Sequence, residues 1–353
     1  MIVGRAKMLL FLTFVDPQYS RSAHLQTMAS RLGIEKRLIE VSPKIMLQLR
    51  QLYLMRKTIR NSQYVIVMSP CHKLTIPLRL ITKNIILDAG WPLSDSNFTR
   101  RLQWQTLYRV AINYFTDFLS FHFAAKVILE SESQKSHVRR KFLVGQSKLE
   151  VLFTGLNEEV FSRHSILEIP EINHLVSTNL RIILFRGKWN LESGLDSLSR
   201  MSYLFRNDVL IVIASSNLPK SIAFNEMNTV IIQRRLAFNE IASLYRLASV
   251  SIGQLSNHPR LSRTLPHKVF ESAYFGKPYV TTQNKGIGEF LSQDSALFLA
   301  NNSDLENVIE IQDLLQEKSR LESLGKHIRN DYERNCSYEV LTERFKNLLN
   351  LSG

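Results

Sequence analysis

The sequence predicts an α/β protein built from two doubly wound parallel sheets, and three observations carry that expectation. At 353 residues the chain is too long for one compact core and suits two domains. Short β-branched runs alternate with segments of helical period from end to end. The alternation is interrupted once, by a polar and loosely patterned stretch over 162–179. Strands alternating with helices imply parallel sheets covered on both faces. We therefore expect a first domain over 1–165 and a second over 166–335, both Rossmann-like. In such sheets ligands bind beyond the carboxyl ends of the strands, which puts the expected site in the cleft the two sheets face.

The elements follow in order. The apolar run Met8–Val15 is preceded by Arg5 and Lys7, as a leader would be, but it breaks at Asp16-Pro17 without a small-residue cleavage site and reads as a first strand. A helix over 21–32, a short strand over 37–41 and a basic amphipathic helix over 45–59 come next. Tyr64–Ser69 and Ile85–Asp88 read as buried strands. A long helix over 98–121, a strand Val127–Leu129, a basic helix over 134–143 and a strand Leu149–Phe153 complete the first half. The second half repeats the scheme: strands Arg181–Phe185, Val209–Ala214, Val230–Gln233, Val250–Gly253 and Tyr279–Thr282 alternate with helices over 193–205, 239–247 and 267–275. Helices fill the chain from Leu305 onward.

Composition narrows the class. Apolar residues make up 44% and charged residues 22%, as in soluble globular proteins. Two cysteines, Cys71 and Cys336, far apart in sequence, exclude a disulfide scaffold, offer no zinc spacing and point to a reducing, cytoplasmic setting. No apolar run approaches the roughly 18–20 residues that span a bilayer. The net charge of +14 is concentrated: residues 1–160 hold 23 Lys+Arg against 11 Asp+Glu, and Val41–Leu87 contains no acidic residue. Such a half either meets an anionic surface or is simply solubilising. Helices 44–60 and 98–121 mix cations (Arg50, Arg56, Lys57, Arg100, Arg101, Arg109) with large apolar and aromatic residues. That pattern suits a peripheral position on an anionic membrane face, and equally a helix that buries one stripe and solvates the other. Zinc-finger spacing, RNP-like aromatics and a helix-turn-helix are missing, so a nucleic-acid partner is not expected.

The segment Thr264–Thr282 is the most informative. Pro266 is pre-set for a first helical position and Gly276 for a helix end, with Lys277-Pro278 leading into a strand. A helix amino end offers free N–H groups and partial positive charge to a phosphate, and Lys268 adds a full charge. His267 and Glu271, four apart, share a face one turn inside. There Glu271 can accept bonds from a ribose diol, or merely offset the helix dipole. In the first half Asp88 ends a strand before Ala-Gly-Trp-Pro, where it could touch an acceptor or donor sugar or cap an Asx turn.

The pattern P-x-K-x-x-E-x-x-x-x-G-K-P-x-V over 266–280 resembles the donor-site signature of GT-B glycosyltransferases of family 4, the "glycosyl transferases group 1" type. Further pieces fall in the same order: Val127–Ser131, the junction Leu152–Phe161, the loop Phe185–Leu195, and Arg235-Leu236 followed by 241–250. The likeness covers most of 126–350; the first 120 residues match only in layout. It implies a retaining, metal-independent hexosyltransferase without cofactor, which moves sugar from a nucleoside-diphosphate sugar to a glycan or lipid-linked acceptor, as in cell-surface polysaccharide synthesis. It implies that 336–353 returns to the first domain. It also implies a donor site of Arg186, Gly187, Lys188, Arg235, Leu236, His267, Lys268 and Glu271, with Asp88 and Lys188 as the groups nearest the chemistry. The chain departs from the pattern in three places. Arg263 stands where the first of two glutamates is usual, Ser193 where a lysine precedes Gly194, and Asp16–Ser22 replaces a glycine-rich loop. These departures leave open the alternative of an inactive, basic α/β protein that binds membrane or nucleic acid.

Overall fold

The computed structural model describes residues 8–15, 20–95, 104–162, 168–173, 180–300 and 303–351. The chain divides into two compact units, Met1–Gly155 with Tyr338–Gly353, and Leu156–Ser337.

In the first unit, strands β1 (Leu9–Thr13), β2 (Lys36–Glu40), β3 (Tyr64–Val67), β4 (Ile85–Gly90), β5 (Lys126–Leu129) and β6 (Leu149–Val151) form one sheet in the order β2-β1-β3-β4-β5-β6. Every pairing is parallel. The helices are α1 (Ser20–Arg31), α2 (Ile45–Leu54), α3 (Arg56–Asn61), α4 (Thr75–Leu78), α5 (Trp104–Phe123) and α6 (Glu132–Phe142). The chain steps one way from β1 to β2 and the other way through β3 to β6. Right-handed crossovers therefore place α1 on one face and α2–α6 on the other. The core agrees: Leu52, Ile59, Leu78, Phe121 and Phe142 share one buried cluster with Leu10, Val65 and Leu87.

In the second unit, β7 (Arg181–Arg186), β8 (Val209–Ala214), β9 (Thr229–Ile232), β10 (Val250–Ile252), β11 (Tyr279–Thr282) and β12 (Ala296–Leu299) form a second parallel sheet in the order β12-β11-β10-β7-β8-β9. Its helices are α7 (Glu158–Ser162), α8 (Leu195–Ser202), α9 (Phe238–Leu247), α10 (His267–Tyr274), α11 (Asp304–Gln316) and α12 (Lys318–Cys336). Helix α13 (Tyr338–Leu348) belongs to the first unit. There Tyr338 packs its ring 4.9 Å from that of His24 and under the Arg31 guanidinium at 4.1 Å.

The structure corrects several expectations. The division falls at Gly155/Leu156 rather than at residue 165, because Phe161 of α7 packs edge-on against Phe238 and Phe275 of the second unit. The helix expected over 45–59 is two helices meeting at Met55. Strand β12 falls in a segment for which no element is expected from the sequence. Residues 16–19 of the first loop, and Arg100 and Arg101, lie outside the described residues.

Candidate active site at the carboxyl end of the second sheet

Arg186 is the last residue of β7. Strand alternation sends Ile183 and Phe185 into the core with α8 and α11, so Arg186 emerges on the opposite side of the sheet, where it meets α10 and α9. Its Nη1 donates to both oxygens of Glu271, at 2.5 and 2.7 Å. The Tyr245 hydroxyl donates to Oε2 at 2.8 Å, and Nδ1 of His267 lies 3.2 Å from Oε1, one helical turn back. Glu271 is 1% exposed. Burial alone would raise its pKa, but the Arg186 charge, with His267 and Tyr245, pulls it down to about 2. Burial and the adjacent carboxylate push the Tyr245 phenol well up.

A carboxylate offers about four acceptor directions, and these neighbours occupy them. Glu271 is therefore the hub of an internal network in this structure, which corrects the expectation of a carboxylate open to a ribose diol. The groups that retain outer surface are Arg186 and His267, each with 28% of its side chain accessible.

Lys268 also departs from expectation. Three residues before Glu271, it shares the inward face of α10. Its Nζ donates to the Gly253 carbonyl at 2.6 Å and sits 3.8 Å from the centre of the Phe185 ring. Burial, then the nearby Arg186 charge, holds the amine well below the ordinary lysine range. Its charge therefore does not face a ligand at the helix end. The helix itself behaves as read: no side chain caps its amino end, with Pro266 one position earlier than expected as the N-cap. Gly276 closes it at φ 59°, with Lys277 N–H returning to the Ser272 carbonyl.

Two loops flank this cluster, one after β7 and one after β10. Glu192, buried, accepts from Nη1 of Arg260 at 2.7 and 2.9 Å. Its carbonyl takes the Ser256 hydroxyl at 2.8 Å, and Leu255 N–H donates to the Ser193 carbonyl. Gly194 is left-handed at φ 67°, and a Cβ there would lie 2.6 Å from the Leu255 carbonyl carbon. Ser193, in the usual lysine position, turns its hydroxyl onto the Asn190 carbonyl. The opposed charges of these loops are thus Glu192 on the first and Arg260 on the second.

Lys188 is exposed two residues beyond Arg186, past Gly187 at φ 149°. Arg235 and Leu236 follow β9, two strands from β7, so about 10 Å across the sheet. Arg234 anchors their loop to Glu171 and Glu240. The structure thus gathers Arg186, Gly187, His267, Lys268 and Glu271, with Lys188 beside them and Arg235-Leu236 farther along the strand ends. Sequence reasoning missed Tyr245 and the Glu192–Arg260 pair. Tyr245 lies inside the segment 241–250 already singled out, at a position whose hydroxyl only the fold gives a partner.

Asp88 lies in the first unit and needs a correction of its own. Strand β4 runs on to Gly90, so Asp88 sits within the strand, wholly buried, with Oδ1 on Nε of Arg21 at 2.7 Å. Burial raises its pKa, and Arg21 opposes the rise. Arg21 in turn donates to the Leu152 carbonyl and the Thr154 hydroxyl. The carboxylate holds α1 to the ends of β4 and β6 instead of facing an acceptor.

A shallow cavity of about 540 Å³, bordered by Ser249, Lys277, Pro278 and Lys326, opens at the amino ends of β10 and β11, the far end of the strands from Arg186.

No family model and no curated protein matches the sequence. Solved structures do match across its length. Anabaena Alr3699/HepE, solved with UDP and glucose, superposes with a TM-score of 0.71 at 12% identity over 98% of this chain and 100% of the other. Sucrose-phosphate synthase from Thermosynechococcus elongatus gives 0.74 at 11% identity, covering 98% of each chain. A putative UDP-N-acetylglucosamine 2-epimerase from Listeria monocytogenes gives 0.62 at 10%, again over 98% of each. The fold is that of the GT-B glycosyltransferases, two parallel six-stranded sheets with flanking helices.

Proposed function

We propose that this chain transfers a sugar from a nucleoside-diphosphate sugar to a glycan or lipid-linked acceptor. The single observation that carries the reading is the Arg186–Glu271–His267 cluster at the carboxyl ends of the second sheet, beside the uncapped amino end of α10. A diphosphate meets three sources of positive potential there: the Arg186 guanidinium, the exposed Lys188 and the helix amino end. Anabaena HepE, solved with UDP and with UDP-glucose, supports the same ligand class. The 266–280 pattern supports assignment to the family 4 type, and with it retention at the anomeric carbon without a metal or cofactor.

In this reading negative charge grows on the departing β-phosphate oxygen, and preorganised cations lower the barrier. Glu271 does not meet the ribose; it fixes Arg186 and His267, so that both are in place before the donor arrives. Lys188 supplies the cation that Ser193 lacks. Arg235 and Leu236 border the place of the base. Polysaccharide synthesis on the cytoplasmic side is the setting this reading suits.

The test is release of UDP or GDP from a panel of UDP- and GDP-sugars, with and without acceptor extracts, alongside nucleotide-induced thermal shifts. Activity that falls at least ~100-fold in Arg186→Ala, with the variant still folded, supports the proposal. A folded wild-type chain that neither binds nor turns over any nucleotide sugar overturns it, and interconversion of the donor sugar without nucleotide release would favour an epimerase.

A further inference from the structure

Helix α2 is turned inside out relative to an ordinary amphipathic helix. It buries Gln48 beside Leu52 and exposes Ile45, Met46, Leu47, Leu49, Tyr53 and Leu54. Met46 is 74% and Leu54 67% exposed. Gln48 is accounted for, since its amide donates to the Ser42 carbonyl, so burial of the polar side chain is a built feature. Helix α5, on the same face of the first sheet, adds Leu107, Tyr108, Ile112 and Phe115, with Tyr108 at 71% and Phe115 at 65%. Exposed apolar groups in this number exceed the scattered surface leucines of a monomer.

The charge around them is of one sign. Lys44, Arg50, Lys57 and Arg60 lie exposed along α2 and α3, and the Arg56 guanidinium stacks 4.2 Å over the Tyr53 ring. From Val41 to Glu130 the chain has four acidic residues, Asp88, Asp95, Asp117 and Glu130, and all four are buried. From α2 through α5 the outer surface therefore presents apolar side chains in a field of cations, and among the described residues the first exposed carboxylate on this face is Glu132, at the start of α6.

From this face we infer an anionic lipid surface as its partner, with α2 lying in the headgroup region and its Met46–Leu54 side directed to the acyl chains. Apolar residues gain by leaving water while neighbouring cations meet lipid phosphate, and an interfacial helix needs both. A nucleic acid would be served by the cations but not by Met46, Leu49 or Leu54. Among the described residues no helix is long and apolar enough to cross a membrane, so this contact is one of lying on the surface.

The inference stands on the first unit alone and is tested without any sugar donor. Full-length protein is sedimented with vesicles of phosphatidylcholine alone or mixed equally with phosphatidylglycerol, at low and high salt. We expect partition to the anionic vesicles at low salt and little to the neutral ones. Arg50→Ala/Lys57→Ala lowers it about thirtyfold, and Met46→Glu/Leu54→Glu at least about tenfold. All these positions are exposed, and each variant is compared with wild type by thermal melt and far-UV circular dichroism, so that lost partition is scored only for a folded chain. Absence of binding at low salt overturns the inference, as does wild-type binding by Met46→Glu/Leu54→Glu. A dimer that the same double variant converts to monomer overturns it too, by assigning the face to a second copy of the chain. So does tight DNA binding that the vesicles cannot displace.

Discussion

Nη1 of Arg186 reaches both oxygens of Glu271, at 2.5 and 2.7 Å, from the end of a strand to the second turn of a helix 85 residues later in sequence. The pair couples β7 to α10, and Tyr245 adds α9. Removing one partner leaves a desolvated charge and a stranded phenol. Glu271→Ala should therefore lower unfolding stability by about 3 kcal/mol, with Tyr245→Phe costing about 2 kcal/mol. Because the three groups share one carboxylate, Glu271→Ala and Arg186→Ala should be strongly non-additive in a double-mutant cycle. Urea denaturation of the four species measures it. Additive losses would mean that the network is not a unit.

The same carboxyl gives a pH signature. Its pKa falls from 4.5 to about 2 on folding, so the contribution is present above about pH 4.5 and is lost as pH falls toward 2. The full difference corresponds to about 3 kcal/mol. The stability advantage of the wild-type chain over Glu271→Ala should therefore shrink on going from neutral pH to about pH 3. A constant advantage across that range would show that the glutamate stabilises only through packing.

Lys268 sets the two readings of the helix end against each other. Its amine is buried against Phe185 with a depressed pKa. The unfolded chain therefore binds the proton more tightly, and stability rises as pH climbs from the folded pKa toward 10.5. Lys268→Met removes the desolvation cost and loses one hydrogen bond to Gly253. The expected net change at neutral pH is within about 1 kcal/mol, and the nucleotide-induced thermal shift stays as in the wild type. A folded Lys268→Met variant that no longer responds to nucleotide would return Lys268 to the phosphate site.

The parts legible in the sequence are those set by local pattern. Continuous β-branched runs such as Val209–Ala214 matched their strand to the residue, because burial on both faces leaves no other composition. Gly276 and the His267–Glu271 spacing were equally readable, being consequences of helix geometry. What the sequence hid is what depends on partners far along the chain. Whether Glu271 faces a ligand or an arginine is decided by the alternation that points Arg186 away from the Phe185 side of β7. Likewise, whether Lys268 is a surface cation or a buried amine depends on which side of α10 meets the strand ends. The pairing of Glu192 with Arg260 spans 68 residues, and no local spacing announces it. This ion pair predicts its own outcome: Glu192→Gln should loosen both loops, and a double-mutant cycle with Arg260→Met should show a coupling of about 1–3 kcal/mol. Thermal melts of the single and double variants measure it, and zero coupling would reduce the pair to an incidental contact.

Asp88 separates a positioning role from a catalytic one. The carboxylate is wholly buried and accepts from Nε of Arg21, whose Nη1 holds the Leu152 carbonyl and the Thr154 hydroxyl at the end of β6. Asp88→Ala removes a buried carboxylate bonded to that guanidinium and should lower unfolding stability by about 3 kcal/mol. Asp88→Asn keeps the shape and one acceptor oxygen, so the loss should be smaller, and donor turnover at saturating acceptor should remain within about tenfold of wild type. A group that took or gave a proton in the transfer step would behave differently. Asp88→Asn would then lower turnover by about 100-fold or more while the melting curve stayed near that of the wild type. The ratio of lost activity to lost stability across Asp88→Asn, Asp88→Ala and Arg21→Met therefore decides the matter: if Asp88 acts through Arg21, Arg21→Met reproduces the Asp88→Ala phenotype, and if it acts on substrate, Arg21→Met does not.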